Sequence, residues 1–120
     1  MLKSFLAVII LLSSMNVFAC WLVEGSLAVD GETFKFTQKI EHKKEYLFPL
    51  GNFILKLTLT PQDKKKTSVK YLVQEKKGIK LDLVTKGDEE NLKENIKRDI
   101  FARGEEGQPN SIITLKLINI

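Results

Sequence analysis

The sequence predicts an all-β fold, a single antiparallel β-sandwich of about seven strands. Apolar and polar residues alternate along most segments after Cys20, which places every second side chain on one face of a sheet. Turn-forming residues interrupt these segments about every 8 to 12 residues, a spacing typical of sandwiches and small barrels. Residues 20–120 amount to one domain of common size, so we expect a single folded unit.

The first two strands flank Asp30-Gly31, which lies between Val29 and Glu32. Both central positions of a type I′ hairpin turn need a positive φ, and aspartate followed by glycine adopts it at low cost. We therefore expect these two strands to pair with each other. The side chains that we expect them to place in the core are Trp21 or Val23, Leu27, Phe34 and Phe36.

Residues 52–60 form the clearest predicted strand, because four apolar side chains alternate there with lysine and threonine. Turns are expected at Pro49–Asn52, Thr60–Asp63 and Lys77-Gly78, where proline and glycine supply the backbone angles of a reversal. Three later segments show the same period of two. The predicted core positions in all of these strands are Phe53, Leu55, Leu57, Leu59, Val69, Tyr71, Val73, Ile79, Leu81, Leu83, Ile113, Leu115 and Leu117.

The stretch before the last strand permits two interpretations. Apolar residues recur at every fourth position from Leu92 to Ile100, a spacing that allows a short helix near residues 89–96. The alternative is a loop followed by a strand at 99–103, which turns through 104–110 and pairs with the final strand. The pattern favours the loop and strand.

Residues 111–120 are apolar on both faces of the predicted final strand. Such a strand is either central and buried on both sides or an edge that accepts or donates a partner strand. An exposed edge of this composition would promote aggregation, so we expect the strand to be central and buried.

Residues 1–19 have the three-part layout of a secretory signal peptide. They combine the single cation Lys3, an apolar run over 5–12 and the small-residue exit Val17-Phe18-Ala19. The apolar run is too short for a spanning helix of about 20 residues. The predicted organisation is therefore a signal peptide at 1–19 and a β-sandwich at 20–120.

The only cysteine, Cys20, lies at the predicted cleavage point and cannot form an intrachain disulfide. Val17-Phe18-Ala19-Cys20 resembles the lipobox of bacterial lipoproteins, in which the cysteine receives a lipid, although Phe18 departs from that pattern. Ordinary cleavage after Ala19 is the favoured interpretation. An unlipidated Cys20 would either form an intermolecular disulfide or be buried as a small apolar residue.

Charge and motifs exclude several classes of function. The formal charge is +4, of which one charge belongs to Lys3, and this is too small for a nucleic-acid-binding surface. The sequence contains no nucleophile elbow, HExxH, Walker or dinucleotide-binding motif. The single histidine, His42, lies among charged residues in a predicted hairpin tip and is expected to be solvated. We therefore expect no enzymatic activity, no cofactor and no metal site.

Lysines cluster in the turns that a simple meander would bring to one end of the sandwich. Successive turns of a meander alternate between its two ends, so turns near 41–45, 61–67 and 86–91 would share an end. A basic rim there could meet anionic lipid headgroups, lipopolysaccharide or an acidic partner protein. Lysines at strand ends also prevent edge strands from pairing with other chains, which is the simpler explanation. The candidate contact residues are Lys43, Lys44, Lys64, Lys65, Lys66 and Lys86.

These observations favour a non-enzymatic interaction module of the bacterial envelope or secretome, with an Ig-like or small barrel-like sandwich. We expect a monomer, periplasmic or secreted, that binds an unknown protein or an anionic envelope component and does not bind nucleic acid. One alternative is an outer-membrane lipoprotein with a scaffolding role, tethered through Cys20, the only route by which we expect membrane attachment. Another is an inhibitor of a secreted hydrolase, presenting the predicted loop Glu105–Asn110.

Ordinary cleavage predicts that the mature protein consists of Cys20 through Ile120. Intact mass spectrometry of the protein purified from its native envelope without reductant should give the mass of that chain. A diacyl or triacyl addition would contradict ordinary cleavage and establish a lipoprotein instead.

Overall fold

The structure, a computed structural model, describes residues 20–62 and 66–119 and confirms the all-β prediction. Two four-stranded antiparallel sheets pack face to face as a sandwich. The described residues form eight strands where about seven were expected. The predicted signal peptide at 1–19 lies outside the described residues.

The strand boundaries follow the predicted turns at Asp30-Gly31, Pro49–Asn52 and Lys77-Gly78. The first four strands are β1 Cys20–Val29, β2 Glu32–Glu41, β3 Glu45–Leu50 and β4 Phe53–Pro61. The last four are β5 Lys66–Lys77, β6 Lys80–Lys93, β7 Arg98–Ala102 and β8 Ser111–Asn119. Asp30 and Gly31 have φ values of 52° and 81°, so the first hairpin has the predicted turn, and β1 pairs with β2.

The chain is an up-and-down meander across both sheets. The first sheet has the order β2-β1-β8-β7 and the second sheet has the order β3-β4-β5-β6. Successive connections alternate between two ends. The upper end carries the β1–β2, β3–β4 and β5–β6 turns and the β7–β8 loop, and the lower end carries the other three connections. The last strand is central, as predicted, because β8 pairs with β1 on one side and β7 on the other. The prediction that both of its faces are buried is wrong, because only the inner face enters the core and Ile112 on the outer face is 37% exposed.

The core lies between the sheets and consists mainly of aliphatic side chains. Most predicted core positions are buried, and Phe34 and Phe36 are partly buried against the cluster. At 87 a glycine is required, because a Cβ there would lie 2.5 Å from the hydroxyl of Tyr71 on the paired strand. The confirmed buried positions are Trp21, Val23, Leu27, Phe53, Leu55, Leu57, Leu59, Val69, Tyr71, Val73, Ile113, Leu115 and Leu117.

The prediction that Ile79, Leu81 and Leu83 enter the core is wrong. Ile79 is fully exposed in the β5–β6 turn, and Leu81 lies on the outer face with half of its surface exposed. A β-bulge places both Val84 and Thr85 opposite Val73, and these two residues are buried instead. The bulge reverses the phase of the alternation along β6, so the apolar residues before it face outward.

The short helix considered near residues 89–96 does not form. β6 continues to Lys93 and a turn follows at 94–97. Leu92 and Ile100 are buried on two different strands, and Ile96 is exposed in the turn between them. The four-residue spacing therefore reflects two strands joined by a turn. Within residues 20–62 and 66–119 the structure contains no helix with the length and hydropathy needed to cross a bilayer.

Aromatic side chains fill the seam where β2 of the first sheet passes to β3 of the second. The rings of Phe36 and Phe48 lie 4.5 Å apart, and those of Phe34 and Phe53 lie 6.2 Å apart, measured between centroids. These distances are in the range of favourable aromatic pairs. The seam is thus closed by side-chain packing.

Polar contacts close the opposite seam, between β6 and β7. The guanidinium of Arg98 forms an ion pair with the carboxylate of Glu89. Nearer the upper end, the Thr85 hydroxyl donates to the carbonyl of Arg103 at 2.7 Å, and the amide of Glu105 donates to the carbonyl of Val84 at 2.7 Å. These bonds join the two sheets where no regular ladder does.

The core side chains of β8 should dominate the stability of the domain. Leu115→Ala removes a buried side chain of a central strand and should lower the free energy of unfolding by about 2–5 kcal/mol. Lys116→Ala, on the outer face of the same strand, should change it by less than about 0.5 kcal/mol. Urea unfolding of the two variants measures both values, and equal losses would contradict the central packing of β8.

Candidate functional site

The structure distributes the predicted lysine rim over different parts of the molecule. Lys43 and Lys44 lie in the β2–β3 turn and Lys66 begins β5, so these three belong to the lower end. Lys64 and Lys65 lie outside the described residues. Lys86 does not belong to a turn, because strand β6 continues through this residue. Lys86 pairs with Leu72 of β5, about halfway along the strand. The predicted turn at 86–91 is therefore wrong.

His42 is not freely solvated, contrary to expectation. Its ring lies 4.0 Å from the ring of Trp21, centroid to centroid, and its side chain is half-buried. The Trp21 indole N–H in turn donates to the carboxylate of Glu94 at 3.3 Å. Burial lowers the pKa of His42 below its ordinary value of 6.5, and the neighbouring ammonium of Lys43 lowers it further. This cluster joins the start of β1 to the β2–β3 and β6–β7 connections at the lower end, and we assign it a structural role.

Cys20 is the first residue of β1 and lies at the lower end, opposite Glu41 of β2. The strand begins at the predicted cleavage point, so no spacer separates Cys20 from the folded domain. Lipid attachment at this position would bring the lower end of the sandwich to the membrane surface.

The first sheet has an apolar row on its outer face near the upper end. Thr33, Ala28, Ile112 and Phe101 are cross-strand neighbours in that order, so the row crosses all four strands. Phe101 is 76% exposed and Ile112 is 37% exposed. Its neighbours along β7, Ile100 and Ala102, are buried, so Phe101 points to the outer face and forms a contiguous apolar patch with Ile112.

This row forms part of a groove, here called the Phe101 groove, with a volume of about 720 Å³. Its lining combines the apolar row with the β1–β2 turn and with Arg103 and Asn110 from the β7–β8 loop. Asp30 and Glu32 contribute carboxylates on the other side. An apolar floor with charged groups at its margin is typical of sites that bind ligands or partner segments.

The β7–β8 loop at the edge of the groove is held in place by four hydrogen bonds. The Gly104 amide donates to the Asn110 side-chain oxygen at 2.8 Å, and the Gln108 amide donates to the carbonyl of Glu105 at 2.7 Å. The two bonds to β6 described above, from the Glu105 amide and to the Arg103 carbonyl, are the third and fourth. The loop is therefore ordered before any partner binds, which reduces the entropy that binding would cost.

The second sheet also has an exposed apolar surface, here called the lysine-leucine face. It comprises the outward residues between the middle of the sheet and the upper end, together with the β5–β6 turn. A shallow concavity of about 360 Å³ lies beside it, and its charged lining residues are Lys56, Lys70 and Lys86 together with Glu45 and Asp88. The members of the face are Leu47, Pro49, Ile54, Lys56, Leu72, Gln74, Lys76, Ile79, Leu81, Leu83 and Lys86.

Sequence reasoning did not identify either surface. A period of two shows that one face of a strand is apolar but not which way that face points. For the Phe101 groove, the sequence signal is limited to one phenylalanine in a short strand.

In the part of the chain that the structure describes, no group of three or more His, Cys, Asp or Glu side chains could hold a metal ion. Comparisons with protein-family models, curated protein sequences and solved structures found no match to this chain.

The contact between His42 and Trp21 predicts a measurable titration. Because His42 is the only histidine, its ring protons can be followed directly by NMR, and their midpoint should lie below pH 6.5. The unfolded chain then takes up the proton at a higher pH than the folded chain does. The stability that neutral His42 contributes is therefore present above about pH 6.5 and is lost as the pH falls through the folded pKa.

A matched variant isolates this contribution. His42→Phe keeps an aromatic ring against Trp21 but cannot be protonated. Its free energy of unfolding should fall less than that of the wild type between pH 7.5 and 5.5. A midpoint at or above 6.5, or an equal fall in both proteins, would contradict the burial of a neutral imidazole ring against Trp21.

Proposed function

We propose that the chain is an exported, non-enzymatic interaction module of the bacterial envelope or secretome, and that its Phe101 groove binds an apolar segment of a partner protein. The observation that carries this proposal is the exposure of Phe101 above a groove of about 720 Å³. The layout of residues 1–19 supports export, and the absence of known catalytic motifs from the sequence supports a binding role.

The composition of the groove suits a protein partner. Aromatic side chains and arginine are enriched at the centres of protein interfaces, where they contribute most of the binding energy. The groove contains one aromatic side chain, Phe101 on β7, and one arginine, Arg103, two positions later in the β7–β8 loop. Asp30 and Glu32 on the opposite margin can pair with basic groups that flank an apolar anchor.

The edge position of β7 offers such a partner a second kind of contact. β7 is the last strand of the first sheet, and β8 is its only ladder partner in the described part of the chain. An extended segment that lies in the groove can add backbone hydrogen bonds along a sheet edge, a common mode of peptide recognition. The polar seam to β6 occupies part of that edge, so we expect side-chain contacts to contribute most of the affinity.

One alternative function also has a specific observation in its favour. The β7–β8 loop is exposed at Glu105 and Glu106 and is fixed by its hydrogen bonds, which is the property that an inhibitor of a secreted hydrolase needs in its reactive loop. A lipoprotein tethered through Cys20 remains compatible with either role, because the lower end is remote from the groove.

A photo-crosslinking amino acid at position 101 tests the groove in the native envelope. It should give one discrete adduct with a partner protein, because the side chain at this position lies in the proposed interface. Ile96 is the matched control, since it is an apolar residue of comparable exposure, 55%, at the lower end. The same label at position 96 should give no such adduct.

The affinity of the purified partner then measures the contribution of the anchor. Phe101→Ser should weaken binding about 30-fold, the effect expected for the loss of about 2 kcal/mol at a hot spot. Ile96→Ser should leave binding unchanged. Equal crosslinking at both positions, or equal affinities of the two variants, would overturn the proposal.

A further inference from the structure

The lysine-leucine face of the second sheet contains apolar side chains that neither the core nor the Phe101 groove uses. Its most central row crosses all four strands in the order Leu47, Lys56, Leu72 and Lys86. The next row toward the upper end contains Pro49, Ile54, Gln74 and Leu83, and Lys76 pairs with Leu81 beyond it. Apolar side chains and lysines are thus interleaved across a surface four strands wide.

The exposed fraction of these side chains varies across the face and is greatest at the tip of the β5–β6 turn. Ile54, Leu72 and Leu83 are half-buried, whereas Leu47 and Leu81 are 54% and 50% exposed. Ile79 at the tip of the turn is completely exposed and is flanked by Lys76, Lys77 and Lys80. Together with Leu81 and Leu47, Ile79 extends an apolar surface that is contiguous across the sheet, and it is such patches, more than single exposed residues, that mark contact sites.

The charges on this face are all of one sign. Among the residues that the structure describes, the outward charged positions of the lysine-leucine face are Lys56, Lys76 and Lys86. The outward acids Glu45 and Asp88 belong to the next row toward the lower end. At the base of the turn, Glu75 and Asp82 lie on the opposite side of the strands and both contact Lys77, at 3.8 and 3.6 Å.

We propose that the lysine-leucine face docks the domain on an anionic lipid bilayer, with Ile79 inserted at the headgroup boundary. Burial of Leu47, Leu81 and Ile79 among acyl chains removes exposed apolar surface from water. The long apolar stems of Lys56 and Lys86 can lie along the same surface while their ammonium groups reach the lipid phosphates. Apolar insertion and electrostatic attraction then act on the same face.

The composition of the face favours a bilayer over a protein partner. Its outward residues include no arginine and no aromatic side chain, the two types most enriched at protein interfaces, and lysine is depleted there. The Phe101 groove on the first sheet, by contrast, contains both an aromatic side chain and an arginine. Because the two surfaces belong to opposite sheets, a lipid surface and a protein partner can be bound at the same time, and this inference does not rest on the proposed function.

Co-sedimentation with vesicles tests the inference directly. The probe is vesicles of phosphatidylcholine containing about one third phosphatidylglycerol, with pure phosphatidylcholine vesicles as the uncharged reference. The exported protein should carry Cys20→Ser, so that no attached lipid contributes; position 20 is at the lower end, away from Ile79. We expect binding to the anionic vesicles only, and weaker binding as the salt concentration is raised.

Three variants assign the binding to this face. The triple variant Lys56→Gln, Lys76→Gln and Lys86→Gln should weaken binding by about fivefold for each lysine, the effect of about 1 kcal/mol per charge. Ile79→Ser should weaken it by about tenfold through lost apolar burial. The control, Lys35→Gln with Lys39→Gln, removes two exposed charges from β2 of the first sheet and should have little effect.

Each other outcome overturns the inference. Absence of binding to anionic vesicles would exclude lipid docking, and equal losses in the test and control variants would show nonspecific attraction of a basic protein. Sedimentation velocity provides the remaining comparison. A wild-type dimer that Ile79→Ser converts to a monomer would show that the face contacts a second copy of the chain.

Discussion

The pairing of β1 with β8 is the interaction on which the rest of the sandwich depends. It joins the two ends of the described chain in the centre of the first sheet, with Leu27 opposite Ile113 and Val23 opposite Leu117. Because β1 and β8 occupy the central positions, β2 and β7 are left as the outer strands, each facing an edge of the second sheet. The locations of both seams, and of the Phe101 groove on the outer face, follow from this one pairing.

The two seams are closed by different chemistry. Phenylalanine rings fill the β2–β3 side, where packing is largely insensitive to salt and pH, whereas an ion pair and hydrogen bonds close the β6–β7 side. Burial raises the pKa of the Tyr71 phenol above its ordinary value of 10.0. The carboxylate of Glu89 and then that of Asp88 raise it further. The polar seam adjoins β7, so the strand that bears Phe101 is also the one whose outer edge is held by the more solvent-sensitive contacts.

Much of this fold could be predicted from the sequence, and the failures have identifiable causes. Residues 53–60 and Asp30-Gly31 were predicted correctly because regular alternation and turn chemistry act locally. Leu81 and Leu83 were not, since the bulge at Val84 and Thr85 changes the phase of β6 and depends on pairing with β5. Neither exposed surface could be predicted either. The pairing register decides which face of a strand is covered, and it depends on contacts between strands. Lys86 was predicted to lie in a turn, and it belongs to the lysine-leucine face because strand β6 continues through it.

The closure of the first sheet by the first and last strands also has a kinetic consequence. Five of the strand pairs are hairpins between neighbours in the chain and can form as soon as both strands are present, because short loops close at low entropic cost. The β1–β8 ladder is the one pair that spans nearly the whole domain. In a chain that is synthesised from its N-terminus, β1 therefore lacks its second neighbour until β8 has emerged. The first sheet can be completed only then, so formation of the β1–β8 ladder is the event that locks the structure.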